Sequence, residues 1–153
     1  MTTRFEFGKA EPAALQAMMG LERYVRSSGL NKTLLELIKV RASQINRCTF
    51  CIDMHTKDAR HAGETEQRLY ALNAWDETPF FTAEERAALA LTEAVTRIGA
   101  HGVPDAVYEK VNRYFTPEQI TQLIMAIVVI NAWNRISITA RTMPGSYQVG
   151  QAA

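Results

Sequence analysis

The chain has 153 residues, a formal net charge of +1, 47% hydrophobic residues and 22% charged residues. That length predicts one domain, residues 1–153, and such a domain buries roughly 68–70% of its unfolded surface. The near-neutral charge excludes a basic field for nucleic acid and a polybasic membrane signal. The start, Met1-Thr-Thr-Arg-Phe-Glu-Phe, lacks an apolar signal core. The longest apolar run, Leu123 to Ile130, is far short of the roughly 20 residues that span a bilayer. The expectation is a soluble cytoplasmic protein with no nucleic-acid or membrane partner.

Residues 1–10 read as extended or loose. Pro12 sits at a first-turn position and opens a helix to about Ser27, with Gly29 just beyond its end. Asn31 is a good N-cap for the next helix. On that helix Leu34, Leu37, Ile38, Arg41 and Ile45 share one face, and Val40 adds apolar surface elsewhere, so the helix reads as central. Glu36 is a carboxylate in this mostly apolar stretch and needs a partner: Lys39, Arg41 or another cation on a structural reading, a histidine on a functional one. Asn46 is the expected cap of a third helix carrying Cys48, Cys51 and His55 and closing at Gly63.

Residues 64–75 continue helically, with Glu64, Gln67 and Arg68 toward solvent and Leu69, Leu72 and Trp75 inward. Thr82-Ala-Glu-Glu85 is a capping box for a helix to about Arg97, lined on its inner side by Leu89, Leu91, Ala94, Val95 and Ile98. Pro104 starts a short helix to about Tyr114. Thr116-Pro117-Glu118-Gln119 opens the most apolar helix, to about Arg141, and the last residues read as a loose tail. No strand pattern or repeat appears, so the predicted class is all-α, with about six to eight helices.

Both cysteines lie in Cys48-x-x-Cys51, and His55 follows four residues later. On a helix these groups share one face. In a reducing compartment such a pair points to redox or metal chemistry and not to a disulfide scaffold. In a redox reading, thiolates near a helix N-terminus are favoured, a sulfenic acid forms and the second thiol traps it as a disulfide. His55, one turn after Cys51, can serve as the base. Two cysteines three apart within a helix would have to distort its first turn to reach disulfide geometry. A zinc site would need Glu36, Cys48, Cys51 and His55, three of them from one helix. Structural zinc instead joins ligand pairs from separate segments, so no metal and no other cofactor is expected. His61 and His101 read as surface residues.

Glu36-x(11)-Cys48-x-x-Cys51-x-x-x-His55 resembles the signature of the AhpD-like alkyl hydroperoxidases, small members of the carboxymuconolactone decarboxylase superfamily. Ala42-Ser-Gln-Ile-Asn46 and Asn131-Ala-Trp-Asn-Arg135 are similar to the same proteins, and the resemblance covers roughly residues 5–141. It implies an all-helical fold and an antioxidant peroxidase acting on organic hydroperoxides. It implies that Cys51 carries the sulfenic acid, that Cys48 donates a proton and resolves, and that Glu36 and His55 relay protons. It also implies a homo-oligomer, a trimer or hexamer, recharged by a dithiol reductant of lipoyl or thioredoxin type. Phe50 stands where the well-studied hydroperoxidases carry another relay histidine. The other functions considered are a general dithiol–disulfide oxidoreductase and a non-enzymatic redox sensor. Decarboxylation is disfavoured, because true carboxymuconolactone decarboxylases lack the cysteine pair.

Overall fold

The computed structural model describes residues 2–150. Eight helices follow in order among them: α1 (Phe7–Ala10), α2 (Pro12–Ser27), α3 (Lys32–Asn46), α4 (Thr49–His61), α5 (Glu66–Ala71), α6 (Ala83–Thr96), α7 (Asp105–Asn112) and α8 (Pro117–Ala140). A 3₁₀ turn, Leu72–Glu77, extends α5, and the described residues contain no strand. The all-α class is as the sequence reads. The short α1 replaces the extended start expected before Pro12.

Helix starts follow local chemistry. The side chains of Asn31, Thr65, Thr82 and Thr116 each accept a first-turn backbone N–H, and Thr82 and Thr116 form full capping boxes with Glu85 and Gln119. The chain start also serves an end. Arg4 donates its backbone N–H to the Ala140 carbonyl and its guanidinium to that of Thr139, answering the open carbonyls of α8.

α3 is the axis. Leu34, Leu35, Leu37, Ile38, Val40 and Ala42 are all buried, so two core layers form on its opposite sides. One joins Val25, Leu35, Ile38, Leu91, Leu123 and Ile127 from α2, α3, α6 and α8. The other joins Leu37 and Val40 with Ala59, Leu72, Trp75 and Leu89. α8 is long and apolar enough to cross a membrane by length and composition, but half of that stretch is buried against the other helices, as befits a core helix.

Several readings of the sequence are corrected. Asn46 does not cap the cysteine helix; it ends α3, Arg47 turns left-handed at φ 60°, and Cys48 is the N-cap of α4. Glu64 is buried and pairs with Arg68 at 3.1 Å, while Ile98 lies in solvent just past α6. Of the tail expected to be loose, Gly145 and Tyr147 are tied to α4, and residues 151–153 lie outside the described residues.

A polar network locks α3 to α8. Asn134 is fully buried; its side-chain amide donates to the Ser43 hydroxyl at 3.0 Å, and its carbonyl accepts from Asn46 at 2.8 Å. Asn46 also donates to Asn131, which donates in turn to Thr96 on α6. Asn134→Ala removes both bonds and strands the buried Ser43 hydroxyl, while Asn46 keeps its bond to Asn131, so it should lower stability by about 2–3 kcal/mol in urea unfolding.

Candidate active site

The cysteines are placed by the α3–α4 junction. The Cys48 N–H donates to the Ser43 carbonyl at 3.0 Å and the Arg47 N–H to that of Gln44 at 3.2 Å, a Schellman closure of α3. The residue that closes one helix therefore caps the next. Cys48 Sγ accepts the Cys51 N–H at 3.4 Å, in the role a serine or aspartate usually plays. The two cysteines are joined as a disulfide with Cα atoms 5.4 Å apart, well within the usual span. Cys48 has extended backbone outside the helix, so only Cys51 of the pair is an in-helix residue.

Both cysteines are buried, at 1% exposure, in a small cluster with Ala42 and Ile130, against which Phe50 and Trp133 pack. Phe50 thus gives the cysteines an apolar wall at the position where the resemblance leads one to look for a histidine. His61, at the end of α4, and His101, in the loop after α6, are both exposed.

His55 follows Cys51 by one turn of α4 and is 5% exposed. Its Nδ1 lies 2.9 Å from Glu36 Oε2. Glu36 Oε1 accepts from Lys39 Nζ at 3.4 Å. The two candidate partners of Glu36, a cation and His55, are thus both present, one on each oxygen; Arg41 instead pairs with Glu93. Lys39 also reaches Glu22 at 3.3 Å, and Glu22 accepts from Arg26 at 3.1 Å. The result is a line of alternating charge across α2, α3 and α4. Burial would raise the carboxyls of Glu36 and Glu22, but their partners win and hold both below the ordinary 4.5: His55 and then Lys39 for Glu36, Lys39 and then Arg26 for Glu22.

Two members of this surface are not legible in the sequence motif. Asp58, three residues after His55, brings a carboxylate oxygen within 4.8 Å of both His55 and Glu36. The Tyr147 hydroxyl donates to Asp58 Oδ1 at 2.6 Å. Asp58 could have been suspected from its i+3 spacing to His55; no local signal marks Tyr147, which lies 89 residues from its partner. Glu36, His55 and Asp58 form a donor set that could hold a metal ion. Lys39 and Tyr147 each take one oxygen of its two carboxylates.

Comparison with known proteins gives the family and the fold. The profile of the carboxymuconolactone decarboxylase family matches residues 12–94, which includes Glu36, both cysteines and His55. The chain belongs to that family. It is 49% identical over 138 residues to the uncharacterized protein YdfG of Bacillus subtilis, covering 90% of this chain and 94% of that one. A crystal structure of an Agrobacterium tumefaciens protein of unknown function, suggested to be an antioxidant defence protein of the AhpD type, superposes with a TM-score of 0.92 at 44% identity, covering 95% of this chain and all of that one. The debrominase Bmp8 shares the fold at a TM-score of 0.80 and 21% identity, covering 91% of this chain and 74% of its own.

The carboxylates give the fold a defined acid response. A carboxyl whose folded value is depressed contributes stability that is complete above its ordinary value and is lost as pH falls through the folded one. Glu22 and Glu36 are both depressed, so stability should be full at neutral pH and fall progressively below 4.5. Glu36→Gln should be less stable at neutral pH and should lose less on acidification, as read from urea midpoints across pH. Parallel curves for the two proteins would remove Glu36 from the acid response.

Proposed function

We propose that this protein is a thiol peroxidase that reduces organic hydroperoxides through Cys51 and Cys48, in antioxidant defence in a reducing cytoplasm. The observation that carries the reading is the 2.9 Å Glu36–His55 pair one helical turn from Cys51. Glu36 orients the imidazole and supports its positive form, and His55 takes the Cys51 proton. The thiolate attacks the terminal peroxide oxygen; the O–O bond breaks, and Cys51 becomes a sulfenic acid. The alkoxide leaves as an alcohol after taking the proton from His55.

Cys48 then attacks the Cys51 sulfur. The S–O bond breaks, the disulfide forms, and the hydroxyl leaves with a proton as water. The N-cap position suits Cys48 to this step, because the Cys51 N–H and the start of α4 stabilise a resolving thiolate. An external dithiol, of lipoyl or thioredoxin type, returns two electrons and two protons, and is itself oxidised to a disulfide. The apolar wall of Ile130, Phe50 and Trp133 suits an alkyl chain.

One observation favours a second reading. A cysteine at a helix N-cap is also where dithiol–disulfide oxidoreductases place their attacking thiol, so the same pair could exchange disulfides without a peroxide. Rapid mixing of reduced protein with an alkyl hydroperoxide separates the two. Fast, saturable thiol loss is expected. Cys48→Ser should keep it and leave a trappable sulfenic acid at position 51, whereas Cys51→Ser should abolish it. Glu36→Gln and His55→Gln should each slow the first oxidation by about 10²-fold or more, and the double variant should be little slower than either, as residues acting as one unit behave. Oxidation no faster than that of a free thiol would favour disulfide exchange.

We propose further that the chain assembles as a homo-oligomer, a trimer or hexamer. α3 is consumed by the core, which leaves α8 with Ile124, Val128 and Ile138 at 39–44% exposure. Light scattering at micromolar concentration should give a small multiple of 17.2 kDa, and Val128→Glu should lower it. A monomer mass would reject the assembly.

A further inference from the structure

The segment after α8 is bound to the outer side of the cysteine helix at three points. The Gly145 N–H donates to Asp53 Oδ2 at 2.9 Å, the Tyr147 carbonyl accepts from Lys57 Nζ at 3.1 Å, and the Tyr147 hydroxyl donates to Asp58 Oδ1 at 2.6 Å. Lys57 and Asp58 lie four and five residues after Asp53, and Lys57 also bridges to Asp53 at 2.9 Å. The tail is therefore held in register along α4, and this brings a tyrosine from the far end of the chain to the His55 side of the helix.

We propose that Tyr147 is a positioning residue for the Glu36–His55 pair, acting through the Asp58 carboxylate. The inference rests on the reading of that pair as the base for Cys51. Asp58 and Glu36 offer carboxylate oxygens within 4.8 Å of each other and of a His55 ring nitrogen. Two like charges so close are tolerated only if each has its own donor. Lys39 serves Glu36, and the Tyr147 hydroxyl serves Asp58.

A neutral donor matters here. It holds the Asp58 carboxylate toward His55 without adding a cation to repel an imidazolium, so the negative charge of Asp58 adds to that of Glu36 at His55 and supports an imidazolium–thiolate pair with Cys51. The charged groups around this point are Glu22 and Arg26 from α2, Glu36 and Lys39 from α3, and Asp53, Lys57 and Asp58 on α4. Burial, then Asp58, pushes Tyr147 up to about 12, so it stays a donor throughout the working range. Without the hydroxyl, the Asp58 carboxylate loses its donor and turns toward water, and His55 loses one of its two supporting charges.

The test uses the full chain, reduced, with Cys48→Ser so that a single thiol titrates. Ultraviolet thiolate absorbance, corrected against the protein lacking both thiols, gives the ionisation midpoint of Cys51 without any hydroperoxide. Tyr147→Phe should move that midpoint to higher pH by about half a unit or more, roughly threefold less thiolate on the rising limb. Asp58→Asn keeps the anchors at Asp53 and Lys57, so it removes the same interaction without releasing the tail, and it should shift the midpoint at least as far. The double variant should match Asp58→Asn alone. A Tyr147→Phe midpoint equal to that of the parent, or additive shifts in the double variant, would overturn the proposal. If these shifts appear while the unaltered protein fails to oxidise with alkyl hydroperoxides, the peroxidase reading falls and the positioning role stands.

Discussion

A carboxylate inside an apolar helix is the constraint around which this molecule is arranged. Glu36 sits on the axial helix and can stay ionised there only because Lys39 and His55 each take one oxygen. Lys39 in turn needs Glu22, and Glu22 is shared with Arg26. Removing one partner from such a buried pair typically costs about 3–5 kcal/mol, because the other charge is left uncompensated. The line therefore fixes α2 and α4 against α3 in one register. It also fixes His55, and through the helical repeat it fixes the histidine relative to Cys51. Stability and candidate chemistry draw on the same bonds, which is why acid should weaken both.

The second device is the junction that closes α3 and opens α4 within two residues. Arg47 takes a left-handed conformation that costs a non-glycine residue roughly 1–2 kcal/mol. The Schellman bonds on one side and the Cys48 sulfur cap on the other hold it there. The asparagine network through Asn46 and Asn134 then sets α8 beside the junction, so that Ile130 and Trp133 close over the cysteines. A disulfide placed this way spans a helix boundary, with Cys48 as the N-cap and Cys51 inside α4.

The family frame does not by itself choose the reaction. A debrominase shares this fold at low identity, and chemistry on a common scaffold is set by the groups at the site. What this chain presents is a thiol pair, one buried imidazole held by a carboxylate, a phenylalanine in place of a further base, and a tyrosine–aspartate pair at the edge. That inventory suits proton transfer to and from sulfur beside an apolar surface.

The sequence alone determined the all-helical class, most helix ends and the Glu36, Cys48, Cys51 and His55 set. Those signals are local: a capping box acts over three residues, and the motif spacing follows from the helical repeat. The tertiary structure decided what depends on long-range contact. Asn46 looks like a cap by type, but its partners Asn131 and Asn134 are 85 and 88 residues away, and they draw it into the end of α3 instead. Glu64 looks like a surface residue until folding covers it and Arg68 pairs with it. Glu36 has two plausible partners in sequence, and only packing shows that its two oxygens serve both. The tail has no periodicity to read, and Gly145 and Tyr147 are held by side chains of α4 some 90 residues earlier. Hydrogen bonds within one turn can be read from residue types, whereas those that join distant segments exist only once the core has brought them together.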